Sequence, residues 1–255
     1  MSEDAPDLER RFGGVRRLWG GAALGRFRAA RAAVVGLGGV GSWAAEALAR
    51  SAVGAIALID LDMIAESNVN RQIHAFDGAF GRGKADALAE RVRAINPACR
   101  VEAVEDFVTP ENVSDLIGGE FDAVVDAIDQ VRAKAAIVAH CARRGLFVVT
   151  AGGAGGKLDP ARARVADLAR AEQDPLLAKL RARLRREYGF PRGAARRFGV
   201  PAVFSDEPAR RPENACAAAG LACAGYGSSV CVTAVFGFLA ANLALESIAG
   251  RGAGE

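Results

Sequence analysis

Two carboxylates, Asp60 and Asp62, are followed by the polar run Asn68-Val69-Asn70-Arg71-Gln72. Upstream of them lies a glycine-rich turn, Gly36-Leu37-Gly38-Gly39-Val40-Gly41, and downstream come Lys84 and the run Asp126-Ala127-Ile128-Asp129. Glycine lets a backbone bend sharply against a phosphate, and the amino end of a following helix supplies N–H donors. Asp60 falls about 20 residues further on, where a carboxylate receives ribose hydroxyls. That much suits any dinucleotide. Arg71 adds a planar fork of donors for phosphate oxygens, Asn68 and Asn70 add neutral donors, and Asp62 and Gln72 complete the cluster. Lys84 brings a second cation to a helix start, where cations are otherwise disfavoured. Asp129 at the edge of a strand suits Mg2+, which takes few carboxylates and keeps water and phosphate oxygens as its other ligands. Asp126 reads as a turn or helix-cap residue. Together these residues favour ATP, gripped while one phosphorus is attacked, over a nicotinamide cofactor.

Short apolar runs alternating with helical patterns must hold this cluster, and such alternation signals a parallel sheet with crossover helices. Strands are expected at 32–35, 55–59, 100–104, 121–125 and 146–150, with helices at 40–50, 84–95, 110–117 and 131–144. The fold class is therefore α/β, a Rossmann-like doubly wound and mostly parallel sheet with helices on both faces and a C-terminal extension. The nucleotide-binding part covers about 20–150 and the substrate or dimer part about 151–255, within one domain spanning 1–255. The glycine loop at 151–156 follows a strand at its carboxyl end, where α/β folds bind ligands. Leu176, Leu177, Leu180 and Leu184 give one helix face. The stretch 189–225 reads as irregular, either a functional lid or disordered. The uncharged run 230–245 is short for a membrane span and reads as part of a helix over 228–249 that packs on the sheet or on a partner subunit.

The 255-residue chain has an ordinary share of charge, 25%, and a mild net charge of +3. Its five cysteines include no CxxC pair, which fits a reduced, cytoplasmic chain better than a disulfide framework. Charge clusters locally. Between 179 and 197, eight cations (Lys179, Arg181, Arg183, Arg185, Arg186, Arg192, Arg196 and Arg197) face the single acid Glu187. Tyr188, Phe190 and Phe198 interleave with them, a pattern that can track an RNA backbone and stack an unpaired base or form a solvated arginine face. His74 reads as a packing or loop-bonding residue in preference to a general base, and His140 as structural.

Gly36, Gly38, Gly41, Asp60, Asn68, Arg71, Lys84 and Asp129 together resemble the shared residues of the HesA/MoeB/ThiF superfamily of ubiquitin-activating-type adenylating enzymes. Longer runs match the branch that dehydrates a modified tRNA adenosine: RFGG at 11–14, RLWG at 17–20, VGSWAAEALAR at 40–50 and NRQIHA at 70–75. FVTP at 107–110, DAID at 126–129, TAGGAGG at 150–156, VFS at 203–205 and TAVFGF at 233–238 continue it in order, with a poor match between 207 and 221.

The resemblance implies ATP and Mg2+ as cofactors, with tRNA carrying threonylcarbamoyladenosine at position 37 as partner and substrate. It also implies a homodimer in which Arg17, and less directly Arg11, reaches the nucleotide of the other subunit. It leaves room for a cysteine desulfurase or sulfur acceptor as a partner, and for a monovalent cation (Na+ or K+) at the 151–156 loop. Relatives that activate sulfur carriers often hold zinc with two CxxC pairs, so no zinc is expected. Adenylation of a ubiquitin-like carrier's C-terminus remains the alternative reading. Cys216 and Cys223 are the candidates for a thioester nucleophile, while Cys99, Cys141 and Cys231 fall on core-like elements.

Overall fold

Strands built from Ala, Val and Ile without alternation must be covered on both faces, and the computed structural model, which describes residues 6–193, 196–210 and 226–250, is built that way. β1 (Arg31–Val35), β2 (Ala55–Ile59), β3 (Arg100–Val104), β4 (Ala123–Asp126), β5 (Phe147–Ala151), β6 (Ala163–Asp167) and β7 (Pro201–Ser205) form one sheet in the order β3-β2-β1-β4-β5-β7-β6. Every pairing is parallel except β6 with β7. All of β2 and β4 is buried.

One face carries α2 (Gly21–Ala29), α3 (Gly41–Arg50), α4 (Lys84–Ile95) and α8 (Val230–Ile248), whose core includes Phe27, Leu48, Leu88 and Phe236. The other carries α5 (Val113–Leu116), α6 (Val131–Arg144) and α7 (Pro175–Glu187), joined through Ile117, Ile137, Leu177 and Leu180. α1 (Leu8–Trp19) lies against α2 through Phe12 and Leu24. α8 is long and apolar enough to cross a membrane by length and composition. Its Val232, Phe236, Ala240 and Ala244 are buried in the core that α3 and the sheet share, so the sheet supplies the apolar surroundings it needs.

Three expectations need correction. The helix expected over 110–117 shrinks to α5, because Thr109 and Asn112 spend their side chains on nearby backbone: Thr109 N–H donates to Asn112 Oδ1 at 2.7 Å, and Asn112 N–H donates to Thr109 Oγ1 at 3.3 Å. Such local bonding competes with helix. The stretch 189–225 is not irregular throughout, since β7 lies inside it and pairs with β5 at Thr150–Ala202 and Ala151–Val203. β6 has no counterpart among the expected strands. It is an edge strand of mixed exposure, so it lacks the apolar run that marks a central strand.

Candidate functional site

β1 leads to β2 on one side, and after β3 the chain crosses to β4 on the other, so a crevice opens between the carboxyl ends of β1 and β4. This is the switch point at which open α/β sheets bind ligands. The glycine turn fills the β1 side. Gly36 has φ +83°, and a Cβ there would lie 2.7 Å from Ile128 Cγ2 on the β4 loop. A Cβ on Gly41 would lie 1.8 Å from Gly36 O, so the turn closes only with glycine. Gly38 and Gly39 face the polar run, Gly38 towards Gln72 and Gly39 against the stem of Arg71. Ser42 is the second residue of α3, its N–H donating to Gly38 O at 3.1 Å.

The β2 side is a lattice of charge. Asp60 accepts Leu37 N–H at 2.6 Å through Oδ2 and Asp62 N–H at 2.8 Å through Oδ1, tying the two loops together. Lys84, the first residue of α4, is buried, and its Nζ lies 2.7 Å from Asp62 Oδ2. That carboxylate offsets the unfavourable cation at a helix start. It is 56% exposed, so the pair opens onto solvent.

Asn70 has its amide donor engaged within the fold, whereas Asn68 uses only its side-chain oxygen there. Asn68 Oδ1 accepts Ala65 N–H at 3.0 Å, folding the 3₁₀ turn Glu66–Asn68. Asn70 donates to Ser228 O at 3.0 Å and accepts from Arg71 Nη1 at 2.8 Å. Asn68 braces its own loop through its oxygen, and Asn70 ties that loop to the start of α8. Arg71 Nη1 also donates to Ser67 O at 2.8 Å, and Arg71 O accepts Trp43 Nε1–H at 3.0 Å. Arg71 is thus positioned from both of its ends.

Beside this lattice, Ser42 Oγ, Gln72 Oε1 and both ring nitrogens of His74 are buried without a hydrogen-bond partner. Such orphaned groups cost about 1–3 kcal/mol each, and their gathering around the glycine turn and the polar run fits a polar ligand such as ATP. Of the two roles expected of His74, packing or a loop hydrogen bond, the buried ring takes the first and makes no loop bond. Burial, then the charges of Lys84 and Arg91, lower its pKa to about 4, so the ring is neutral at pH 7.

On the β4 side Asp129 is exposed at the crevice. Among the described residues no group of three or more His, Cys, Asp or Glu is placed to hold a metal, and Mg2+ needs no such group. Asp126 is not mainly a turn or cap residue. It is fully buried, 3.0 Å from Lys134 Nζ, and accepts the Thr150 hydroxyl at 2.7 Å. Burial pushes its carboxyl up, against the opposing pull of Lys134 and Thr150. Lys134 also donates to Ile128 O at 2.9 Å, so the buried pair pins the loop that carries Asp129 and touches Gly36. Sequence reasoning missed Lys134. An amphipathic helix containing one lysine carries no sign that its ammonium points inward.

The crevice thus gathers every expected nucleotide residue except Arg17. That residue is exposed on α1, whose Arg11 donates to Ala94 O at 3.1 Å and Ile95 O at 2.8 Å. α4 ends there, at the opposite edge of the sheet. Within its own chain Arg11 caps the end of α4, and Arg17 lies away from its own crevice. His140 bonds Ile117 O at 3.2 Å, a structural role as expected. Burial pushes the Cys99 thiol up to about 11 and the Cys141 thiol up to about 12. Cys231 is exposed, not core. Cys216, Cys223 and most of the poorly matching 207–221 stretch lie outside the described residues.

The aromatics of the basic stretch are half-buried. Tyr188, Phe190 and Phe198 pack on the core, Phe190 and Phe198 edge to face at 5.0 Å, with Arg185 over Phe198 at 5.2 Å.

Comparison with known proteins gives a consistent picture. The ThiF family model matches residues 14–255. The chain is 48% identical over 254 residues to a tRNA threonylcarbamoyladenosine dehydratase of Escherichia coli K12, covering 95% of each. It is 45% identical over 246 residues to the Haemophilus influenzae protein of that name, covering 95% of this chain and 94% of the other. A crystal structure of the E. coli dehydratase in complex with ATP superposes with a TM-score of 0.89 over 96% of this chain and 97% of that one, at 48% identity.

Proposed function

The chain belongs to the ThiF family, and from that premise we propose that it uses ATP to dehydrate threonylcarbamoyladenosine at position 37 of tRNA. The observation that carries this is the 48% identity, across 95% of both chains, to an enzyme of that name. The crevice supplies the chemistry. The free carboxylate of the threonylcarbamoyl group attacks the α-phosphorus of ATP, and pyrophosphate leaves. A ureido nitrogen then attacks the activated carbonyl and closes a five-membered ring; AMP departs with the former carboxylate oxygen, and the nitrogen gives up its proton. The nucleophile belongs to the substrate, so no enzyme cysteine is required, and intramolecular attack has high effective molarity.

The roles follow from position. The glycine turn cradles the nucleotide at the start of α3, and Asp60 receives the ribose. Arg71 and Lys84 neutralise the charge that develops on the phosphates, Lys84 by exchanging Asp62 for a phosphate oxygen. Mg2+, held by Asp129 and by water, would neutralise phosphate charge there. A monovalent cation at the 151–156 loop would compete with Lys157, whose buried ammonium already donates to Gln173 O and Glu207 O.

The proposal extends to a single adenylating domain over the whole chain, to a cytoplasmic homodimer in which Arg17 completes the partner's crevice, and to a desulfurase or sulfur-acceptor partner. Pyrophosphate release with modified tRNA tests the centre. Arg71→Ala and Lys84→Ala should fold normally and lose that release, and normal turnover in both variants would overturn the assignment.

A further inference from the structure

The arginine-rich surface around the end of α7 is a charged feature that the crevice chemistry does not use. Arg143 and Arg144 are exposed at the end of α6, Arg186 on α7, and Arg192, Arg196 and Arg197 on the segment that leads to β7. Contacts gather them on one surface. The Arg143 guanidinium sits 5.9 Å from the Tyr188 ring centroid, and Arg185 Nε donates to Pro191 O at 3.2 Å. Glu187 is shared between Arg183 at 2.8 Å and Arg186 at 2.6 Å, so one acid answers two cations. Burial and then the like charge of Arg185 push the Arg181 guanidinium down, against the pull of Asp174 and Glu172.

Topology sets this surface at the edge of the sheet opposite the crevice. α6 starts just after Asp129 and runs 14 residues to Arg144, where β5 enters the sheet. At about 1.5 Å per residue that is roughly 21 Å. β7, parallel to β5, begins at the same far edge, just beyond Arg196 and Arg197.

We propose that this surface is a second tRNA-docking surface, gripping the phosphate backbone of the tRNA body while the modified nucleoside occupies the crevice. It rests on the reading given under Proposed function. A tRNA is long enough to touch both edges, and a nucleoside is not. The aromatics lie packed under the arginines, so the surface meets phosphates and leaves bases unread. Such contacts position an RNA without reading its sequence. Each phosphate contact adds about 0.7–0.9 to the slope of log affinity against log salt.

The test is the combined variant Arg144→Ala, Arg192→Ala, Arg196→Ala and Arg197→Ala, assayed with whole tRNA carrying threonylcarbamoyladenosine and with the isolated anticodon stem-loop carrying it. All four side chains are exposed, and an unchanged melting temperature confirms the fold. With whole tRNA, KM should rise about tenfold at ~0.1 M salt and the salt slope should fall by about 3. kcat at saturating tRNA and ATP binding should stay unchanged, and the stem-loop should be used equally well by variant and parent. Unchanged KM and slope with whole tRNA would overturn the proposal, as would an equal loss with the stem-loop. So would loss of binding to anionic phospholipid vesicles with tRNA binding intact. Failure of the parent protein to cyclise modified tRNA at all would instead count against the proposed function.

Discussion

Lys134 and Lys84 are both buried lysines whose ammonium groups end near the crevice, and each faces an aspartate, yet they stand in opposite regimes. Lys134 and Asp126 are both 0% exposed, with the remaining bonds taken by Thr150, Ile128 O and Asp126 O. Lys84 is 7% exposed, but Asp62 across from it is 56% exposed. A charge closed in on all sides can only hold structure, because no ligand can compete for it. A charge whose partner stands in water can change partners at little cost. The floor of the crevice is therefore locked and its rim exchangeable, with the same two residue types in both places.

Breaking the floor should have the largest effect. Lys134→Met leaves Asp126 buried without its cation and should cost about 3–5 kcal/mol, read as a fall in the denaturant midpoint. Replacing both partners, Asp126→Leu with Lys134→Met, should recover most of that loss, because apolar groups need no partner. Breaking the rim should separate activity from stability. Arg71→Ala and Lys84→Ala should slow pyrophosphate release by about 10²–10³-fold, or about 3–4 kcal/mol, with little change in that midpoint.

His74 sharpens the comparison through pH. Its folded pKa of about 4 lies below the ordinary 6.5, so the unfolded chain binds the proton more readily. The stability from keeping it neutral is fully present above pH 6.5 and lost as pH falls towards 4, about 3 kcal/mol in all. Urea titrations at pH 7 and pH 4.5 should show that loss in the parent and a smaller one in His74→Gln. The smallest effect belongs to Arg11→Ala, which should cost no more than about 1 kcal/mol at the end of α4 and leave the KM for ATP unchanged. Arg17→Ala should raise that KM.

The rim was more legible in the sequence than the floor. α4 at Lys84–Ile95 and α6 at Val131–Arg144 begin and end where the apolar periodicity places them. Gly36, Asp60, Arg71, Lys84 and Asp129 meet at one crevice as their spacing requires, because a βαβ order leaves few places for them to go. Asp126 and Lys134 were not legible as a pair, since burial of a lysine depends on which face of α6 meets the sheet. Asn70 was read as a donor to a ligand, yet its amide is engaged by Ser228. Sequence marks a polar side chain but not its partner. β6 escaped because a half-exposed edge strand carries little apolar signal, and β7, though buried and apolar, was hidden by the Gly-, Pro- and Arg-rich stretch around it.

The central claim is that the rim cations serve adenylation of a carboxylate on tRNA. It is tested most directly by following products while purified protein acts on ATP and threonylcarbamoyladenosine-bearing tRNA. The account predicts that cyclic nucleoside, AMP and pyrophosphate appear in equal amounts, and that Lys84→Ala slows all three together by about 10²–10³-fold. Release of ADP and phosphate, or pyrophosphate formed only when a ubiquitin-like carrier protein is supplied, would contradict it.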